Sequence, residues 1–127
     1  MQLTHERPDY TWVLRGANGR QARINELVLE RSCALAPDRL IEDWAGPARA
    51  AELEPAHLQP LLDLQPELVV LGTGSRQVFP PAAVMAAALT RGVGIEVMDN
   101  AAAARTYNIL ASEGRRVIVV LILGEAA

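Results

Sequence analysis

The chain has 127 residues, half of them hydrophobic, and a formal net charge of −3. That length suits a single domain, residues 1–127, able to bury a core without staples. The composition argues against disorder, and an acidic excess with no basic footprint argues against a nucleic-acid partner.

All twelve basic residues are Arg, which fits a base-composition bias better than a functional device. Residues 1–9 contain no apolar segment of a secretory signal and are expected to be a flexible tail. The longest apolar run, residues 117–123, is far shorter than the ~20 residues that span a bilayer. No membrane insertion is therefore expected, and the expected location is cytoplasmic. Cys33 has no second cysteine to pair with. It lies in an apolar run and reads as a buried structural thiol in a reducing compartment.

The first third reads as β-structure. Tyr10, Trp12 and Leu14 alternate with Thr11 and Val13, and Asn18-Gly19 then signals a two-residue hairpin turn. The return strand is expected over residues 20–24 and a third β-segment over 27–35, ending at Pro37-Asp38. A short extended piece would hold Leu40, Ile41 and Trp44. Residues 46–66 are punctuated by four prolines. Pro55 suits a helix first turn, whereas Pro60 limits the helix to about residues 55–62, with Leu58, Leu61 and Leu62 inward.

From residue 68 the pattern becomes regular. Leu68-Val69-Val70-Leu71 reads as a fully apolar strand. Pro81 opens a helix whose Val84, Met85, Ala88 and Leu89 form one buried stripe, and Gly92 suits its end. Residues 95–98 form a strand, Asp99 caps the next helix, and Gly114 stops it. Residues 116–123 are so apolar that they should form a central strand covered on both faces. Val117, Val119 and Leu121 would face one layer, and Ile118, Val120 and Ile122 the other. The order β-α-β-α-β implies parallel pairing. The expected fold is a single three-layer α/β/α domain with a central, largely parallel sheet and an N-terminal β-hairpin addition.

Ligands of open α/β sheets bind at the carboxyl edge of the strands, and two loops reach that edge. One carries Gly72, Thr73, Gly74, Ser75 and Arg76. Its glycines would let backbone amides approach an anion, and Arg76 would pair with a carboxylate or phosphate. The same glycines also serve a turn needed by geometry alone. Gln77 stands where a dinucleotide fingerprint has its third glycine, and no phosphate-loop ending follows. The second loop, residues 98–101, supplies Asp99, read as a helix cap, and Asn100, and leads to Arg105 and Asn108. These two share a polar stripe with Ser112, either a solvated helix face or a wall of the same site. Glu113, Arg115 and Arg116 would lie at the opposite end of the strands.

No catalytic residue emerges. Ser75 lacks a nucleophile motif and a placed histidine, and His5 and His57 have no neighbouring metal ligand, so neither metal nor cofactor is expected.

At these residues the chain resembles the small α/β family that includes complex I assembly factor 3 and the adipogenesis-associated domain proteins, with many bacterial members. The resemblance rests on Leu71-Gly72-Thr73-Gly74, Gly94-Ile95-Glu96-Val97-Met98-Asp99, Arg105-Thr106-Tyr107-Asn108-Ile109-Leu110 and Glu113-Gly114-Arg115-Arg116-Val117. It implies a mixed central sheet, no established enzyme activity or cofactor, and action through protein contacts. Family members commonly carry Thr at the position of Asn100 and a Cys within the run held here by Ala102, Ala103 and Ala104.

The reading that follows is a non-catalytic assembly or regulatory factor that grips a protein partner at the edge cleft. The alternative is a small-molecule binder or enzyme using the 72–76 loop on a carboxylate or phosphate. In either case Gly72, Thr73, Gly74, Ser75, Arg76, Asp99, Arg105 and Asn108 would form one shared site.

Overall fold

A computed structural model of the chain describes residues 9–125. His5 and all of the expected tail except Asp9 lie outside those residues. Eight strands and three α-helices follow in the order β1 (Leu14–Ala17), β2 (Ala22–Ile24), β3 (Leu27–Leu29), β4 (Cys33–Ala36), β5 (Arg39–Ile41), α1 (Pro55–Leu62), β6 (Leu68–Gly72), α2 (Ala82–Leu89), β7 (Gly94–Met98), α3 (Asn100–Ser112) and β8 (Val117–Leu121). A single 3-10 turn, Ala50–Glu52, precedes α1.

Five strands make the central sheet in the order β5-β4-β8-β6-β7, and β1-β2-β3 make a smaller antiparallel one. In the central sheet β8 and β7 both run parallel to β6, whereas β4 is antiparallel to β8 and β5 to β4. The sheet is therefore mixed.

β8 occupies the middle because all five of its residues are apolar and all five are buried. Its alternation splits the core in two. Ile118, Val120 and Ile122 meet Val69, Leu71 and the inner faces of α1 and α2 through Leu58, Leu61, Val84 and Ala88. Val117, Val119 and Leu121 meet Cys33, Leu35 and Val70 together with Ala103, Tyr107 and Ala111 of α3. Leu14 and Ile24 of the small sheet close this second core. The layers are thus α1 and α2, the central sheet, then α3 beside the small sheet.

Several local expectations need correction. The stretch from Tyr10 to Val13 is not a strand; Thr11 and Trp12 both donate their amides to the carbonyl of Pro37. The hairpin turn forms where expected, but Asn18 works through its side chain. Its Oδ1 accepts from the amides of Arg20 and Gln21, and its own amide donates to the Gln21 carbonyl. The expected third segment splits into β3 and β4. Ser32 turns the chain between sheets, its buried hydroxyl accepting from the Leu123 amide and donating to the Pro47 carbonyl. The N-terminal addition is consequently a three-stranded meander rather than a hairpin. Trp44 is buried outside any strand, with its indole N–H donating to the His57 carbonyl at 2.8 Å. Leu89, expected in the stripe of α2, is 61% exposed because it closes the last turn.

The carboxyl edge as candidate binding site

The parallel strands β6 and β8 end side by side, with Gly72 opposite Leu121, and β7 ends at Met98 beside Gly72. The loops leaving β6 and β7 therefore meet at one edge. Asn100, the first residue of α3, ties them together while itself fully buried. Its Oδ1 accepts the Gly74 amide at 3.1 Å, and its Nδ2 donates to the carbonyls of Asn18 (2.8 Å) and Ile122 (2.9 Å). Its backbone amide donates to the Gly74 carbonyl at 2.8 Å. One side chain thus joins the hairpin turn, the exit of β8 and the loop after β6. Its small volume and its glycine neighbour belong together, because a β-carbon on Gly72 would overlap Asn100 Oδ1.

Thr73 is buried and builds the loop. Its hydroxyl donates to the Arg76 carbonyl at 2.6 Å and accepts the Val78 amide at 3.0 Å. Gly74 has φ +102°, a backbone conformation that side chains with a β-carbon rarely adopt. That geometry turns the next amide outward. The amide of Ser75 donates to Glu125 Oε1 at 2.8 Å, and the Ser75 hydroxyl reaches the same oxygen at 3.1 Å. The two bonds, with the charge of Arg76 adding, hold the Glu125 carboxyl below its ordinary range. Arg76 is exposed and enters no salt bridge among the described residues. It lines a cleft of ≈ 270 Å³ with Arg49, Ala50, Ala51, Ser75, Val78 and Glu125.

The remaining expected site residues separate from this loop. Asp99 accepts the Ala102 amide at 2.8 Å and caps α3. Asn108 clamps β1 to α3: its Oδ1 accepts from the Tyr10 hydroxyl (3.1 Å) and the Leu14 amide (3.2 Å), and its Nδ2 donates to the Leu14 carbonyl (2.6 Å). It is not part of a solvated stripe. Arg105 is exposed on α3 and lines none of the clefts described here. The loop residues Gly72, Thr73, Gly74, Ser75 and Arg76 come together, with Asp99 close by. Arg105 and Asn108 do not join them.

Sequence reasoning missed Arg49 and Glu125, and placed Asn100 in the second loop without giving it a role. The first two approach the loop only through long-range folding, from 27 and 49 residues away, so local pattern carries no sign of them. Asn100 did carry a sign, a polar residue beside a cap within an alanine run.

β7 is an edge strand. Gly94 donates to Glu67 and Met98 accepts from Thr73, so the backbone groups of Ile95 and Val97 point away from β6. Gln77 covers one of them, its Nε2 donating to the Val97 carbonyl at 2.9 Å. Beside it, Phe79 stands 66% exposed next to the half-exposed Val78.

At the opposite edge a cleft of ≈ 340 Å³ opens between Pro37, Asp38, Arg39, Leu64, Arg115 and Arg116. Arg116 Nε donates to the Gln65 carbonyl at 3.3 Å, whereas Asp38 and Arg39 enter no salt bridge among the described residues. Glu67, beside the cleft, accepts the Arg116 amide at 2.9 Å, and its other oxygen lies 3.8 Å from Arg115. Among the described residues, no three His, Cys, Asp or Glu side chains gather closely enough to hold a metal ion. No described helix is long and apolar enough to cross a membrane.

Comparison with known proteins gives these arrangements a family. The chain is 34% identical over 113 residues to NADH dehydrogenase (ubiquinone) 1 alpha subcomplex assembly factor 3 of Danio rerio, covering 89% of this chain and 62% of that protein. It is 31% identical over 70 residues to the 13 kDa major membrane protein of Francisella tularensis, covering 55% of this chain and 57% of that one. The chain thus spans somewhat more than half the length of these curated relatives. Among solved structures, the NMR structure of the Xanthomonas campestris protein XCC1710 is 53% identical with a TM-score of 0.83, covering 100% of this chain and 97% of that one. A family model described as protein of unknown function (DUF498/DUF598) matches residues 14–122, and the chain belongs to that family.

Proposed function

We propose that this protein is a non-catalytic assembly or regulatory factor that holds a protein partner at the carboxyl edge of its sheet. The observation that carries this reading is the exposure of Phe79, the chain's one phenylalanine, in the loop that also presents Arg76. A solvent-exposed aromatic residue beside an unpaired arginine and an open strand edge has the composition of a protein contact centre. The assembly role borne by the relatives of Danio rerio and Homo sapiens in their names supports it. No cofactor is assigned, and the partner is a protein rather than nucleic acid.

The cleft between Arg49 and Arg76 favours a second reading, a small anionic ligand held without the apolar surround. Affinity capture from the native organism discriminates them. A specific protein captured by the parent and lost with Arg76→Ala/Phe79→Ala, but retained with Arg23→Ala on the small sheet, supports the partner reading. Capture indifferent to the double change, or turnover of a metabolite by the parent, overturns it.

A further inference from the structure

We infer that residues 74–76 form a carboxylate site occupied in cis by Glu125, and that an acidic side chain of the partner takes its place. The inference rests on the partner reading above and names the chemistry of that partner. Both donors of Ser75 already hold a carboxylate oxygen, so the loop's preference is displayed within the molecule. The Gly74 conformation that aims the Ser75 amide also leaves the space beside it open, and a β-carbon there would overlap Glu125 Oε1.

Glu125 leaves the strongest donors of the cleft free. Ser75 engages only its Oε1, and neither Arg76 nor Arg49 pairs with it directly, although both face the same space. A carboxylate arriving from outside would gain a planar arginine fork as well as the Ser75 amide. Glu125 follows the last strand and is anchored by its own amide to the Gly19 carbonyl at 3.0 Å. A group tethered so closely competes at a millimolar-scale effective concentration and lowers the apparent affinity for an outside carboxylate.

The test follows the Ser75 amide resonance during titration of the ¹⁵N-labelled protein with a hexaglutamate peptide and, separately, with succinate. Glu125→Gln should bind the peptide about tenfold more tightly than the parent. Adding Arg76→Ala should remove that gain, while resonance dispersion confirms that each variant is folded. Succinate should move the same amide with weaker affinity than the peptide. Equal peptide affinity of parent and Glu125→Gln, or shifts centred elsewhere, overturns the inference. Tighter binding of succinate overturns its protein-partner half. If the titration is flat while capture still depends on Arg76 and Phe79, this inference fails and the partner reading stands. The reverse pattern keeps the carboxylate site and removes the partner.

Discussion

The two ends of the parallel strands have different constructions. At the carboxyl edge, buried Asn100 and Thr73 satisfy the backbone of the loops and leave Ser75, Arg76 and Phe79 facing outward. At the amino edge, Glu67 receives the Arg116 amide and lies near Arg115, so these groups fasten the entries of β6 and β8. The amino edge has clefts of ≈ 340 and ≈ 530 Å³ and the carboxyl edge one of ≈ 270 Å³. Volume alone would choose the former. What distinguishes the latter is a buried polar frame, Asn100 and Thr73, carrying a loop that aims the Ser75 amide and hydroxyl at a carboxylate with Arg49 and Arg76 facing the same space. The same contrast separates residues that hold the frame from residues that use it.

The largest effect should come from the frame's foundation. Val119 is fully buried on β8 against α3. Val119→Asp would bury an unpaired charge and cost several kcal/mol of a total near 5–15 kcal/mol. The variant should show no cooperative melt by circular dichroism; a melt close to the parent's would remove β8 from the centre.

Asn100→Ala comes next. It strands the Gly74 amide and the carbonyls of Asn18 and Ile122, and should cost about 2–3 kcal/mol in urea unfolding. A loss below ~0.5 kcal/mol would show that the edge is not framed by this residue.

The sequence made the regular half legible. The continuous apolar runs and the helical patterns from residue 68 onward correspond to β6, α2, β7, α3 and β8, because each element there carries its own apolar signal. The first half was less legible because its strands have only three or four residues and are placed by long-range bonds such as Ser32 with Leu123. At the site, the 72–76 loop and the Asp99 cap were readable as local turn chemistry. Asn108 misled because a helical polar stripe looks the same whether it meets solvent or, as here, the backbone of Leu14.

A smaller effect concerns Cys33. Burial first, with Glu42 adding, pushes its thiol from 9.0 up to about 12. Above about pH 9 the unfolded chain loses this proton while the folded one keeps it, so stability falls as pH rises toward about 12. Cys33→Ala should flatten that decline in part, since burial raises the Tyr107 hydroxyl in the same direction. A maleimide should label the parent only after denaturant is added; rapid labelling of the folded protein would place the thiol at the surface.

The smallest stability effect belongs to residues outside the frame. Arg76→Ala/Arg105→Ala should change unfolding free energy by less than ~0.5 kcal/mol, since both guanidinium groups are exposed and enter no salt bridge among the described residues. A drop of more than ~1 kcal/mol in a thermal melt would move one of them into the frame.

The two edges can be set against each other directly by amide hydrogen exchange on the protein, free and bound to its captured partner. Added protection should concentrate on residues 73–79 with 48–51 around Arg49, and leave residues 36–39 and 114–117 at the amino-edge cleft unchanged. Protection centred on residues 36–39 and 114–117 instead would contradict the assignment of the carboxyl edge.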